Sequence, residues 1–266
     1  MDLELDGWHV LITGGSKGIG LACAAGFLRE GARVSLVSRD PANLQQGERT
    51  LREQSAQDAA GRISLHAADL RQPAGALAAL DAAEQAFGPV DVLVNSAGAA
   101  KRTAPDELDA AAWHEAMDAK YFSYIHMIDP VVKRMGRRGR GAIVNVIGAG
   151  GKVASPIHLP GGAANAALML VSAGLAAAYG PKGVRVNAVN PGLTLTTRLQ
   201  EGMAADAKLQ GIDTEEALKR ATARLPLGRI ATPEEIANAV VFLASPKASY
   251  ITGAIVAMDG AVTPMV

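Results

Sequence analysis

The 266 residues are 49% hydrophobic but only 4% aromatic, enough apolar chain for one large α/β domain or two small ones. Lys plus Arg and Asp plus Glu each number 26, so the formal net charge is zero and no overall field draws the chain to nucleic acid or to an anionic membrane. The single cysteine, Cys23, excludes an intrachain disulfide or a cysteine-based metal site, and the acidic start Met1-Asp2-Leu3-Glu4-Leu5-Asp6 lacks an export-signal pattern, which together fit a reducing, cytoplasmic setting.

Short runs rich in Val, Ile and Leu alternate with helix-length segments from end to end. His9–Ile12, Arg33–Val37, Ile63–His66, Val90–Val94, Ala142–Val146, Val184–Val189 and Ile255–Met258 are the expected strands. They lack strict polar alternation, as strands covered on both faces do. A helical pattern follows the first strand through about Arg29, and another spans Trp113–Met127. Asp213-Thr214-Glu215-Glu216 and Thr232-Pro233-Glu234-Glu235 are helix starts, the second with Thr at the N-cap and Glu placed to close a capping box. No Ser/Gly/Pro linker divides the chain. Residues 1–266 therefore read as one doubly wound, Rossmann-type α/β domain with a mostly parallel seven-stranded sheet.

Three stretches admit competing readings. From Val153 to Pro181 there is no Asp, Glu, Lys or Arg, a length that spans a bilayer. Its prolines, glycines, Asn165 and Ser172, with alanine as the main apolar residue, instead indicate a buried, close-packed helix of a soluble protein. Lys133–Arg140 is a basic segment that reads as a solvated loop or, alternatively, as an anion or partner site. The region at about 195–225, with its charged part Gly202–Leu225, is either a lid over a substrate crevice or an ordinary exposed helix pair.

The first strand runs into Thr13-Gly14-Gly15-Ser16-Lys17-Gly18-Ile19-Gly20 and then into a helix. Glycines there permit a tight turn and let backbone N–H groups at the helix N-terminus approach a pyrophosphate. Thr13, Gly14, Gly18 and Gly20, then Asp69-Leu70, Asn95-Ser96-Ala97-Gly98, Arg185–Gly192, Thr196, Ser249–Gly253 and Asp259-Gly260 together resemble the short-chain dehydrogenase/reductase family over nearly the whole chain. The resemblance implies a nicotinamide cofactor. Its expected shell is Gly14, Ser16, Lys17, Gly18, Ile19 and Gly20 in the glycine loop; Ser38 and Arg39 after the second strand; Asp69 and Leu70 at the adenine; Asn95, Ala97 and Gly98 after the fourth strand; Asn165; and Pro191, Gly192, Thr194 and Thr196 at the nicotinamide end. An NAD enzyme would place a carboxylate after the second strand. Here Arg39, with Lys17, accommodates a 2′-phosphate, which favours NADP(H) over NAD(H), although Asp40 opposes it. The family usually forms homodimers or homotetramers through the helices holding Lys120 and Asn165 and the C-terminal segment.

The family's proton-transfer groups are a Tyr-x-x-x-Lys pair, a serine and an asparagine. The matching positions here are Gly161 and Asn165, Gly148, and Lys120. None of Tyr121, Tyr124, Tyr179 and Tyr250 has a lysine four residues on. General acid catalysis contributes about 10²- to 10⁴-fold, whereas juxtaposition of donor and acceptor supplies effective molarities of about 10⁵ to 10⁸ M, so a reductase without the usual acid is feasible if its substrate is already electrophilic or if other groups replace the donor. The replacement candidates are Lys120, then His158, a titratable group near neutral pH, and Ser155, which could orient substrate; Tyr124 reads mainly as helix packing. Lys101, Arg102 and Lys152 follow strand ends and point to an anionic small-molecule substrate such as a carboxylate.

Three functions accommodate this pattern. The first is an atypical NADP-preferring oxidoreductase acting on a small carbonyl, alcohol or activated alkene with a non-standard proton donor. The others are a catalytically silent NADP(H)-binding sensor or partner protein, and a non-redox, lyase-type enzyme on the same fold. No metal, nucleic-acid or membrane partner is expected.

Overall fold

Seven short runs of Val, Ile and Leu pair side by side in the computed structural model, which describes residues 1–54, 61–98 and 102–264; Lys101 lies outside the described residues. They are β1 (His9–Thr13), β2 (Arg33–Ser38), β3 (Ile63–Ala67), β4 (Val92–Asn95), β5 (Gly141–Val146), β6 (Val184–Pro191) and β7 (Ile255–Met258). The order is β3-β2-β1-β4-β5-β6-β7. Every pairing is parallel, where the sequence led us to expect a mostly parallel sheet. Side chains alternate across it: Val10 and Ile12 enter one core with Phe27, Leu44 and Val240, while Leu11 enters the other with Leu80, Leu93, Met127 and Val131. Two buried faces explain why the strands read as continuous apolar runs. Cys23 lies in the first core, where burial pushes its thiol up to about 12 and keeps it unreactive.

The helices are α1 (Gly18–Arg29), α2 (Pro41–Gln54), α3 (Pro73–Phe87), α4 (Ala110–Met117), α5 (Ser123–Arg138), α6 (Leu159–Tyr179), α7 (Thr197–Gln210), α8 (Thr214–Ala223) and α9 (Pro233–Ala244). Both expected caps form: Asp213 accepts from Glu216 N–H, and Thr232 and Glu235 complete a capping box. The sheet's strand order reverses between β1 and β4, so their C-terminal ends, Thr13 and Asn95, border the crevice where ligands bind in such sheets.

Two expectations change. The helix expected over Trp113–Met127 is α4, one π-helical turn at Asp118–Phe122, and then the start of α5. The basic stretch from Lys133 belongs mostly to α5 rather than to a solvated loop: Arg134 pairs with Asp81 and Glu84 of α3, and Arg138 donates to the Val90 carbonyl and to Asp91. The region after Thr196 is a helix pair, as one of its two readings had it, with α7 against α8. For α6, Pro156–Lys182 is long and apolar enough to cross a membrane. It packs one face, Ala164, Asn165, Leu168, Ser172 and Ala176, against β6 and its surroundings, while Leu170 on the other face is 77% exposed.

Candidate active site and dinucleotide crevice

The glycine loop is built by close approach. Gly14 (φ +66°) sits so near the loop after β4 that an added Cβ would lie 2.8 Å from the Ala97 and Ser96 backbone. A Cβ on Gly20 would strike the Gly14 carbonyl, and one on Gly18 (φ +57°) would lie 3.3 Å from the Thr196 methyl. Any larger side chain would therefore fill the cradle at the N-terminus of α1. Thr13 Oγ1 accepts from the Ser96 and Ala97 N–H groups at 3.2 and 3.3 Å, tying the two strand ends together.

At the second-strand end, Ser16 Oγ donates to Ser38 Oγ at 3.2 Å, and Arg39 and Lys17 are exposed. Asp40 is spent locally. Its carboxylate accepts from Ala42 N–H at 2.8 Å and Asn43 Nδ2 at 2.9 Å, opening α2 instead of opposing a phosphate. Asp69 accepts three hydrogen bonds from the Arg71 guanidinium, which together with Arg39 holds its carboxyl below the usual range. Two expected cofactor residues face inward. Asn95 is fully buried, accepting from Thr13 Oγ1 at 3.2 Å and donating to Asn145 Oδ1 at 3.0 Å, and Leu70 is in the core with its carbonyl taken by His126 Nδ1 at 2.9 Å. Thr194 bridges to Ala231, and Gly192 packs 2.9 Å (as a Cβ) from the Asp259 Cα.

Of the positions that the sequence set against the family's proton-transfer groups, Gly148 and Asn165 lie side by side. Gly148 follows β5 with φ +132°, and a Cβ there would be 3.2 Å from Asn165 Nδ2. Asn165 is 5% exposed, and its Oδ1 has no hydrogen-bond partner. A buried amide acceptor without a donor fits a hydroxyl-bearing ligand such as a nicotinamide ribose. With the cradle, this makes the crevice chemically suited to a dinucleotide.

Lys120 sits in the π-helical turn, 8% exposed. Gly98 packs directly against the Ala119 carbonyl of that turn, and Ser123 Oγ donates to the Ala119 and Lys120 carbonyls at 3.0 and 3.1 Å. Lys120 Nζ donates to Tyr124 Oη at 2.9 Å and to the Val146 carbonyl at 3.2 Å, at the end of β5. Tyr124, fully buried, donates its own hydrogen to the same carbonyl at 2.5 Å, and burial raises its pKa. Tyr124 thus has no proton left to offer and acts as a bracket for the amine. Burial, and secondarily Arg198, lowers the Lys120 pKa to about 7.

His158 and Ser155 border a cavity of about 240 Å³ with Gly150, Gly151, Lys152 and Gly162. His158 Nδ1 is buried without a partner. Burial, then Arg102, Lys120 and Arg198, lowers its pKa below the ordinary 6.5. At neutral pH it is therefore the poorer acid of the two, since a proton donor works best with its pKa near the working pH.

Sequence reasoning missed three contributors. Gly47, a lone glycine inside α2, lets that helix touch the glycine loop, because a Cβ there would be 2.9 Å from the Ser16 carbonyl oxygen. Arg71 occupies Asp69, and Arg198 donates to the Gly98 carbonyl at 3.3 Å. Only the glycine left a local signal.

A family model described as enoyl-(acyl carrier protein) reductase matches residues 14–263. The chain is 38% identical to 2-(S)-hydroxypropyl-CoM dehydrogenase 3 of Xanthobacter autotrophicus, over 96% of each chain. The structure of L-sorbose reductase from Gluconobacter frateurii, complexed with NADPH and L-sorbose, superposes with a TM-score of 0.90 at 32% identity over 100% of both chains. The NADPH-bound short-chain oxidoreductase from Pseudomonas aeruginosa PAO1, described as containing an atypical catalytic center, superposes with a TM-score of 0.86 at 31% identity, covering 97% of this chain and 98% of that one. The glycine cradle, the parallel sheet and these full-length likenesses together show that the chain belongs to the short-chain dehydrogenase/reductase family of NAD(P)-dependent oxidoreductases.

Proposed function

We propose that the chain is an NADP(H)-preferring oxidoreductase for a small carbonyl, alcohol or activated alkene, in which Lys120 takes over the proton transfer that the family assigns to tyrosine. The observation that carries this reading is the buried Lys120 amine, bracketed by Tyr124 and the Val146 carbonyl, with a pKa of about 7. The NADPH in the sorbose reductase and Pseudomonas structures, and the atypical center of the latter, support it.

The residues that would hold the cofactor are the loop Gly14–Gly20, Ser38 and Arg39 at the 2′-phosphate, Asp69 at the adenine, Asn165 at the ribose, and Gly192 with Thr196 at the nicotinamide end. When bound, NADPH supplies the hydride pair. The chain must then deliver one proton to the oxygen that takes up the C=O pair. As an ammonium, Lys120 has three N–H bonds, of which Tyr124 and Val146 engage two; the third is left for the substrate oxygen. The resulting amine is reprotonated from solvent. In the alcohol-oxidising direction the neutral amine accepts the hydroxyl proton. α7 and α8 act as a lid in this reading, because Thr196 faces Gly18 and Arg198 holds the Gly98 carbonyl.

The test combines NADPH and NADH titrations by fluorescence with absorbance assays on aldehydes, ketones and enones. NADPH is expected to bind more tightly. Reduction should fall as pH rises through about 7, oxidation should rise there, and Lys120→Met should lower kcat by about 10²-fold or more while keeping NADPH affinity. Unchanged turnover in that variant removes Lys120 from the chemistry. Tight NADPH binding without turnover of any substrate points instead to a silent sensor.

A further inference from the structure

A guanidinium that the proposed proton transfer leaves unused sits beside this site. Arg102 is half-buried and, among the described residues, makes neither a hydrogen bond nor an ion pair. It lies across the bare Cα of Gly202 in α7: a Cβ there would be 3.1 Å from Nε and 3.3 Å from Cζ and the terminal nitrogen. Thr103 N–H donates to the Ile157 carbonyl at 3.1 Å, which pins the Arg102 segment beside His158. His158 contributes its own unpartnered Nδ1.

Among the described residues, the charges acting on His158 are all of one sign: Arg102, Lys120 and Arg198 each act on its ring, and no carboxylate opposes them. Glu201 is the acid that reaches Arg198, and it is exposed. Like charges gathered in one poorly solvated place repel one another. Solvated arginines avoid this cost by spreading into water, but Arg102 is held down on Gly202. The glycine loop and the N-terminus of α1 already serve the pyrophosphate, so the excess positive charge calls for a different anion.

We infer that the place where Arg102 lies between Gly202 of α7 and the His158 segment takes a substrate whose far end is an oxyanion, a short oxo acid or hydroxy acid, with Arg102 as the specificity-determining residue and His158 Nδ1 as a hydrogen-bond partner. This rests on the reading of the crevice as an oxidoreductase substrate site. It adds to that reading the class of substrate and the residue that selects it. A guanidinium matches a carboxylate, sulfonate or phosphonate bidentately, and loss of such a charge-assisted pair is worth about ten- to a hundredfold.

The experiment uses the full chain saturated with NADPH. Pyruvate, acetoacetate and levulinate are each compared with their methyl esters, and 2-oxopropanesulfonate and 2-oxopropylphosphonate distinguish among oxyanions. The expected result is a kcat/KM at least tenfold higher for one of the acids than for its ester, a ratio that Arg102→Leu collapses toward one. Gly202→Ala is a second variant that favours folding, since Ala is the better helix former, yet it moves the guanidinium by a few tenths of an ångström. It should lower the acid-to-ester ratio by an intermediate amount. Equal use of acids and esters overturns the inference, as does an Arg102→Leu variant that loses NADPH affinity while keeping its acid preference. Should none of the compounds turn over, the same acids and esters are titrated against nicotinamide fluorescence. Acid-selective binding that Arg102→Leu abolishes then upholds the anion site while the reaction reading fails; the absence of acid-selective binding overturns the anion site.

Discussion

Lys120 is expensive to bury as an ammonium, and its cost depends on pH with a definite sign. In the unfolded chain a lysine titrates near 10.4; in the fold it titrates at about 7 because burial disfavours the charge. Between these values the unfolded state holds more protons, so stability rises with pH across that window. Below about pH 7 both states are charged and the folded one bears the full penalty. Lys120→Met removes that penalty, so the melting temperature of the cofactor-free variant should exceed that of the parent most at pH 6 and by progressively less toward pH 10. A gap that stays constant across this range would show that Lys120 is not held neutral.

Gly148 shows why the family's serine cannot simply be restored. Its φ of +132° is a conformation that side chains rarely adopt, and a Cβ would press on Asn165 at 3.2 Å. Such strain costs about 1–3 kcal/mol. Gly148→Ser should therefore lower the melting temperature by several degrees and leave carbonyl reduction no faster; a faster and equally stable variant would refute this. The placing of Gly148, Gly161 and Asn165 against the family motif was a matter of sequence spacing alone. What separates the two candidate proton donors, Lys120 and His158, was not legible there, because they differ through burial and through Arg102 and Arg198, which are brought near by folding rather than by sequence distance.

At the scale of elements, strand positions were readable because both sheet faces are buried and each strand is an unbroken apolar run. The turn that carries Lys120 was not readable. A π-helical turn keeps the composition of its helix, and here its loosened carbonyls are met by Ser123 and its position is set by Gly98. The α2 helix offers a direct test of packing against propensity. Replacing a mid-helix glycine by alanine ordinarily gains about 1 kcal/mol. At Gly47 the new methyl would lie 2.9 Å from the Ser16 carbonyl oxygen, a backbone atom of the glycine loop that cannot swing aside. Overpacking of this kind costs about 1–3 kcal/mol, so it outweighs the propensity gain. Gly47→Ala should be less stable and bind NADPH several-fold more weakly, as read by thermal melts and fluorescence titration. A more stable variant with unchanged affinity would show that α2 can move away from the loop.

For the whole molecule, the apolar outer stripe of α6 is the feature that one chain leaves unexplained. Ala163, Ala166, Leu170, Gly174, Ala177 and Ala178 are exposed along one side of the helix, and none is charged. The C-terminal segment meets the same helix, where a Cβ on Gly253 would be 3.5 Å from Ala176, and Tyr250 nearby is fully exposed. Small residues at i, i+3 and i+4 spacings admit close approach of a second helix. With a net charge of zero, no long-range repulsion opposes a second copy of the chain. A twofold pairing through this stripe would bury Leu170 of both copies at one interface, worth about 1.5–3 kcal/mol each. Leu170→Glu replaces that gain with two carboxylates that must be desolvated beside each other. Light scattering should give a dimer or tetramer for the parent and a monomer for the variant at micromolar concentration. The consequence reaches the active site, since α6 carries Asn165 and packs on the Lys120 turn: the monomer should retain its circular dichroism yet lose turnover. An unchanged assembly in Leu170→Glu would place the interface elsewhere on the surface.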